Sequence, residues 1–182
     1  MRAARLALSA SQRLAAADAV ALHLSKLEVL RRPGHVAGYW AMGGEVPLHA
    51  LLVPPPPFVY CLPALSEKRV LRFAPWRPGD PLVQNRLGIP EPDLAVASML
   101  APQDLDAVLL PLLAFNRNGT RLGMGGGFYD RSFAFLSVET RAAKPLLIGV
   151  AYAFQEQAAL QAEPWDVGLD YVATDAGLIR CR

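Results

Sequence analysis

The chain has 182 residues, 53% of them hydrophobic and 19% charged, with a net charge of +2. That is long enough for one domain with a buried core and too apolar for a disordered segment. The mild charge speaks against a nucleic-acid partner, and two isolated cysteines, Cys61 and Cys181, speak against a disulfide scaffold or zinc site and for free thiols in a reducing cytosol.

The first 24 residues mix arginine, serine and alanine with one acid, Asp18, loosely as a transit peptide does, but Arg5 and Arg13 interrupt any apolar signal core. An N-terminal helix on the domain surface is expected instead. Leu6, Leu14, Val20, Leu22, Leu24 and Leu27 sit among good helix formers, and Pro33-Gly34 end the run. No stretch approaches the roughly 18 apolar residues of a membrane span.

Strands are expected at 35–40, 58–62, 70–74, 106–115, 145–152 and 169–174. Helical spacing or composition marks 46–52, 95–100, 128–137 and 155–161. Alternating strands and helices imply an α/β fold, with helices layered on a mostly parallel sheet. Val108-Leu109-Leu110 and Ile148-Gly149-Val150 lack polar alternation, as strands covered on both faces do. Pro54–Pro57 reads as an extended loop piece, and nothing marks a repeat or a domain boundary, so 1–182 is taken as one domain.

The stretch RLGMGGGFYDR, residues 121–131, follows the expected strand 106–115 and the turn NRNGT. Ligands of open parallel sheets sit beyond the carboxyl ends of the strands, where such loops lie. A nest of backbone amides running into a helix start would suit a phosphate. The stretch is neither of two familiar phosphate loops: Phe128 stands where a dinucleotide fingerprint needs glycine or alanine, and no lysine completes a Walker loop. A tight connection that merely needs positive φ remains the plain alternative. Arg121 and Arg131 flank the glycines and could neutralise phosphate oxygens, and Asp130 could bind Mg²⁺ or simply favour a helix start. His23, His35 and His49 have no metal spacing.

The segment LLPLLAFNRNGTRLGMGGGFYDRSFAFL (109–136) resembles the signature of the 5-formyltetrahydrofolate cyclo-ligases, also called methenyltetrahydrofolate synthetases. The likeness continues, in the family's order, through 38–52, 71–92 and 151–174. It implies a three-layer α/β domain that closes 5-formyltetrahydrofolate to 5,10-methenyltetrahydrofolate, consuming ATP with Mg²⁺ and releasing ADP and phosphate. A formyl oxygen is a poor leaving group until phosphorylated. Alignment and charge stabilisation are then the protein's main tasks, without a covalent nucleophile.

Residue by residue, the resemblance puts Arg121, Leu122, Gly123, Met124, Gly125, Gly126, Gly127, Phe128 and Tyr129 around the ATP phosphates. Arg121, Tyr129 and Asp130 become the catalytic candidates. Asp130 and Asp166 become the Mg²⁺ ligands, with Asp170 a poorer match for the second. Glu45 and Trp40 would line the folate with Tyr129. Apart from the resemblance, Glu45 reads as a helix-start acid and Trp40 as core packing. Trp76 and Trp165 are read as structural, and Glu91 in the GIPEP turn as solvated.

Two departures stand out. The family's early Lys-x-x-x-Arg is represented only by Arg2 and Arg5, so that the arginines substitute at the ATP, the start lies further upstream, or ATP binding is weakened. Gly125-Gly126-Gly127 stand where many members carry Gly-Lys-Gly. The expected protein is a monomeric cytoplasmic enzyme with ATP and 5-formyltetrahydrofolate, polyglutamated or not, as its ligands. The competing reading is a nucleotide- or folate-binding protein without turnover; a sugar-phosphate or CoA-transferase type enzyme would need a glutamate or lysine that the glycine loop lacks.

Overall fold

The computed structural model describes residues 1–66, 69–137 and 143–181. At its centre is a seven-stranded sheet built from β1 (His35–Ala37), β2 (Val59–Leu65), β3 (Leu71–Pro75), β6 (Ala107–Pro111), β9 (Leu146–Val150), β10 (Tyr171–Ala173) and β11 (Leu178–Arg180). Two small hairpins, β4 (Leu82–Gln84) with β5 (Pro90–Pro92) and β7 (Ala114–Phe115) with β8 (Arg121–Leu122), stand apart from it. The central order is β11-β10-β9-β6-β1-β2-β3, parallel from β10 to β2 and antiparallel at both edges.

The parallel strands are apolar throughout because both of their faces are covered. Leu109, Ile148, Val150 and Ala173 belong to one core. Their neighbours Val108, Leu110, Leu147 and Val172 belong to the opposite one, as the two-residue period of a strand dictates. The first core lies under α2 (Ala10–Leu24), which buries Ala16, Ala17, Val20 and Leu24. The second lies under α3 (Phe128–Phe133) and the 3₁₀ turn Ala134–Leu136 that continues it. The layering is that expected of the sequence.

Differences from the expected elements have local causes. The N-terminal helix comes in two pieces, α1 (Arg2–Leu6) and α2, because Ser9 starts afresh with a reciprocal cap: its hydroxyl accepts from the Gln12 amide at 3.2 Å, and the Gln12 side chain accepts from the Ser9 amide at 2.8 Å. Leu6, Leu14 and Leu22 face solvent, more than half of each exposed or nearly so.

The run 106–115 divides after Pro111. The Leu112 carbonyl accepts from Arg5 at 3.2 Å and from Gln155 at 2.7 Å, and is thereby withdrawn from the ladder. Gln155 also holds the expected helix 155–161 to a single 3₁₀ turn, Ala153–Gln155, because its buried side chain reaches back to Leu112 and Leu113. The stretches 46–52 and 95–100 likewise yield only 3₁₀ turns, His49–Leu51 and Val96–Ser98.

The topology sets where a ligand can sit. From β1 the chain moves to β2 on one side, and later returns to place β6 on the other. The loops leaving the carboxyl ends of β1 and β6 therefore diverge, and such a switch point is where open α/β sheets bind their ligands. No described helix is long and apolar enough to cross a membrane.

Candidate active site

The loop after β6 carries the glycines. Asn116 organises the hairpin turn, its side-chain oxygen accepting from the amides of Asn118 and Thr120 at 3.0 Å each. β8 then releases the chain into Gly123–Gly127, where Gly125 and Gly127 have φ of +81° and +60°. These left-handed values require glycine. Nothing lies within 4 Å of where a Cβ would stand at Gly123 or Gly125. The loop is thus open to solvent and not packed against its own core. With six residues α3 is too short to add much dipole; what the loop offers an anion is its own amides.

At the loop's flanks the two arginines differ. Arg131 is exposed, donates to the Gly126 carbonyl and lies 5.8 Å from the Phe128 ring centre. Arg121 is withdrawn, with 7% of its side chain exposed. Its guanidinium donates through one Nη to the Val167 carbonyl and through the other to Asp130 Oδ1, which also accepts from the Val167 amide at 3.3 Å.

Asp166 is the next residue in the chain to Val167, and its Oδ2 accepts from the Glu163 amide at 2.9 Å. Asp130 Oδ2 and Asp166 Oδ1 accept no hydrogen bond among the described residues. No cluster of three metal-ligating side chains occurs among those residues. Two carboxylates with free oxygens nevertheless suit Mg²⁺, which keeps several waters and takes one or two carboxylates with substrate phosphates. Asp170 is placed otherwise: it is buried, and its Oδ2 accepts from the Leu147 amide at 2.7 Å in the sheet.

The loop after β1 carries Glu45. Its Oε2 accepts from the Met42 amide at 3.0 Å, closing a turn through Gly43 and Gly44. At Gly44, φ is +77° and a Cβ would stand 3.0 Å from the Arg5 backbone, so only glycine lets α1 dock here. Arg5 Nη1 comes within 3.9 Å of Glu45 Oε1. Burial raises the Glu45 carboxyl above its ordinary value, a shift that the Met42 hydrogen bond and the Arg5 charge oppose.

Arg5 is buried, 2% exposed. Its Nε, like the Tyr152 hydroxyl, is buried without a hydrogen-bond partner among them. Tyr129 lies half-buried, nearly parallel to Phe133 at 6.4 Å. Burial first, and the Glu45 charge second, push its phenol up; the Arg121 charge draws it down. Tyr129 thus feels both loops.

Trp40, 38% exposed, meets Trp76 edge-on at 5.9 Å, and Trp76 in turn meets Tyr60 at 6.3 Å. This aromatic wall begins where β1 ends.

The structure therefore brings Glu45, Arg5, Tyr129, Arg121 and Asp130 into one neighbourhood, with the glycines preceding Tyr129 in the chain, whereas Trp40 packs on Trp76. Arg2 stays exposed, apart from Arg5. Three readings of the sequence are corrected. Glu91 is not solvated, since its Oε2 accepts from the Leu65 amide at 3.0 Å and the Asn85 side chain at 2.9 Å, tying the β4–β5 hairpin to the end of β2. The GIPEP turn is itself partly strand β5. Trp165 is no packing residue, being 67% exposed. Gln155 and Tyr152 escaped notice. Their one signal is position, immediately after an all-apolar strand on the carboxyl edge.

The model of the 5-formyltetrahydrofolate cyclo-ligase family matches residues 1–175. A Haemophilus influenzae protein named 5-formyltetrahydrofolate cyclo-ligase is 37% identical over 174 residues, 93% of this chain and 90% of that one. An Escherichia coli protein of the same name is 41% identical over 104 residues, 57% of this chain and 55% of its own. Among solved structures, Aquifex aeolicus 5,10-methenyltetrahydrofolate synthetase aligns with a TM-score of 0.79 at 29% identity, covering 100% of this chain and 89% of that one. A 5,10-methenyltetrahydrofolate synthetase from Mycoplasma pneumoniae shares the fold, with a TM-score of 0.71 at 23% identity over 96% of this chain and 93% of that one.

Proposed function

The chain belongs to the 5-formyltetrahydrofolate cyclo-ligase family, and from that premise we propose that it is an ATP-dependent carbon–nitrogen ligase converting 5-formyltetrahydrofolate to 5,10-methenyltetrahydrofolate, with ADP and phosphate released. The observation that carries this reading is Tyr129, which follows the open glycine loop and feels both the Glu45 charge from the loop after β1 and the Arg121 charge from its own.

In the reaction the formyl oxygen takes the γ-phosphoryl group and ADP departs. The neighbouring folate nitrogen then attacks the formyl carbon, phosphate leaves with the oxygen, and the nitrogen gives up its proton. The residues divide between the two substrates. The amides of Leu122 to Tyr129 line the phosphate side, with exposed Arg131 at the rim. The Glu45 carboxylate accepts N–H groups of the pterin, and Trp40 with Trp76 supplies an aromatic surface for it. Tyr129 stands between the two sides. Mg²⁺, when held by Asp130 and Asp166, would neutralise charge on the phosphates during transfer.

Alignment is most of the catalysis, because phosphorylation turns a poor leaving group into a good one once the two oxygens are held in line. The buried, unbridged Cys61 thiol fits a cytoplasmic setting. The test is the methenyl product's ultraviolet absorbance, followed with purified protein, 5-formyltetrahydrofolate, ATP and Mg²⁺. Product that appears only when all are present supports the reading. Thermal stabilisation by both ligands without product would mark a binding protein instead.

A further inference from the structure

Arg121 looks from sequence like a phosphate ligand, but its surroundings give it other work. Both of its Nη atoms are engaged away from the glycine loop, one by the Val167 carbonyl and one by Asp130 Oδ1. The same Oδ1 accepts from the Val167 amide, so the three groups close a ring. With 7% of its side chain exposed, Arg121 has little surface left for a triphosphate. Exposed Arg131 is the flanking cation that is open to one.

The ring joins two segments whose apolar residues, Val167 and Phe133 of α3, already share one core, and adds the polar contacts that fix the carboxylate between them. One is α3, which carries Asp130. The other is the irregular stretch from Glu163 to Val167, which carries Asp166 and lies outside any helix or strand. Without the guanidinium, one amide-to-carboxylate hydrogen bond of 3.3 Å would remain between Asp130 and Val167. A guanidinium suits the task because its rigid fork serves a carboxylate and a carbonyl at once, which an ammonium on a flexible stem does poorly.

We propose that Arg121 is a positioning residue that straps the segment carrying Asp166 to the helix carrying Asp130, and thereby sets the separation of the two carboxylates that would share Mg²⁺, without itself touching the phosphates. This rests on the functional reading above. Oδ2 of Asp130, outside the ring, is left for the metal, whereas Oδ1 serves the strap.

The experiment compares Arg121→Lys with the unaltered full chain by three measurements. Amide hydrogen exchange over residues 163–169, without metal or nucleotide, should quicken in the variant. ATP affinity measured by calorimetry in excess chelator should stay the same. The Mg²⁺ concentration for half-maximal turnover should rise about ten- to a hundredfold, as when an outer-shell partner of a metal ligand is lost.

Weaker metal-free ATP binding with unchanged exchange would overturn the proposal and return Arg121 to the phosphates. Should the variant not fold, the unaltered protein decides alone. Arg121 guanidinium protons that exchange slowly in nitrogen-15 NMR spectra before any ligand is added support the strap, and guanidinium protons slowed only by ATP refute it. An unaltered protein lacking ATP- and Mg²⁺-dependent turnover would instead bring down the functional reading, and this role with it.

Discussion

Arg5 and Glu45, forty positions apart in the chain, approach to 3.9 Å with 3% and 13% of their side chains exposed. The carboxylate is held here against its own hydration. A carboxyl raised by burial contributes stability while protonated and loses it as the pH climbs through the raised value, so at neutral pH ionised Glu45 works against folding. Glu45→Gln should melt no lower than the unaltered protein at pH 7, and any advantage should shrink at pH 5. Its KM for folate should rise about tenfold or more, the loss expected of a hydrogen bond to a charged group, with KM for ATP little changed. Melts at the two pH values and steady-state kinetics check both halves. An unchanged folate KM contradicts the role.

Asp130→Asn keeps the shape of the side chain and an oxygen for Arg121, while removing the charge a metal needs. Turnover should fall at least about a hundredfold, because a bound cation stabilises developing phosphoryl charge by several kcal/mol. Folding should be largely kept, as judged by circular dichroism. Near-normal activity would remove Asp130 from the metal.

Gly123→Ala separates fold from ligand. A Cβ there meets nothing within 4 Å, and Gly123 is not among the positive-φ glycines. The melting temperature should therefore hold, while KM for ATP rises about tenfold if phosphate approaches the bare main chain. Gly149→Ala is the control of opposite kind. Its Cβ would stand 2.7 Å from side-chain atoms of both Leu112 and Leu169, so it should cost about 1–3 kcal/mol of stability by overpacking.

Trp40 offers a spectroscopic handle. It is 38% exposed in the loop after β1, and Trp76 stands edge-on beside it. Folate should quench tryptophan emission in the unaltered protein and do so much less in Trp40→Phe. Trp40→Ala should raise KM for folate and leave that for ATP in place. Equal quenching in the Phe variant would move the pterin elsewhere.

The parallel strands are legible in the sequence because burial on both faces removes every polar residue from Val108 to Leu110 and around Ile148. The glycine loop is legible for a different reason: positive φ at Gly125 and Gly127 restricts the residue type. What is not legible depends on partners far along the chain. The run 106–115 carries no local sign that Arg5 and Gln155 will claim the Leu112 carbonyl, 107 and 43 positions away. Arg121 reads as a phosphate ligand by adjacency, whereas its partners Asp130 and Val167 lie 9 and 46 positions on. Glu91 reads as solvated because nothing nearby in sequence announces the Leu65 amide.

The docking of α1 has a practical corollary. Beyond the Ser9 break, the leading helix is fastened to the body by Arg5, whose guanidinium sits beside Glu45, and by close backbone contact at Gly44. Any purification handle or surface linkage fused ahead of Met1 would pull on that fastening and pass its load straight to the turn that holds Glu45. Immobilisation through β11, an edge strand that takes no part in the Arg5 and Gly44 contacts, would leave that fastening unloaded.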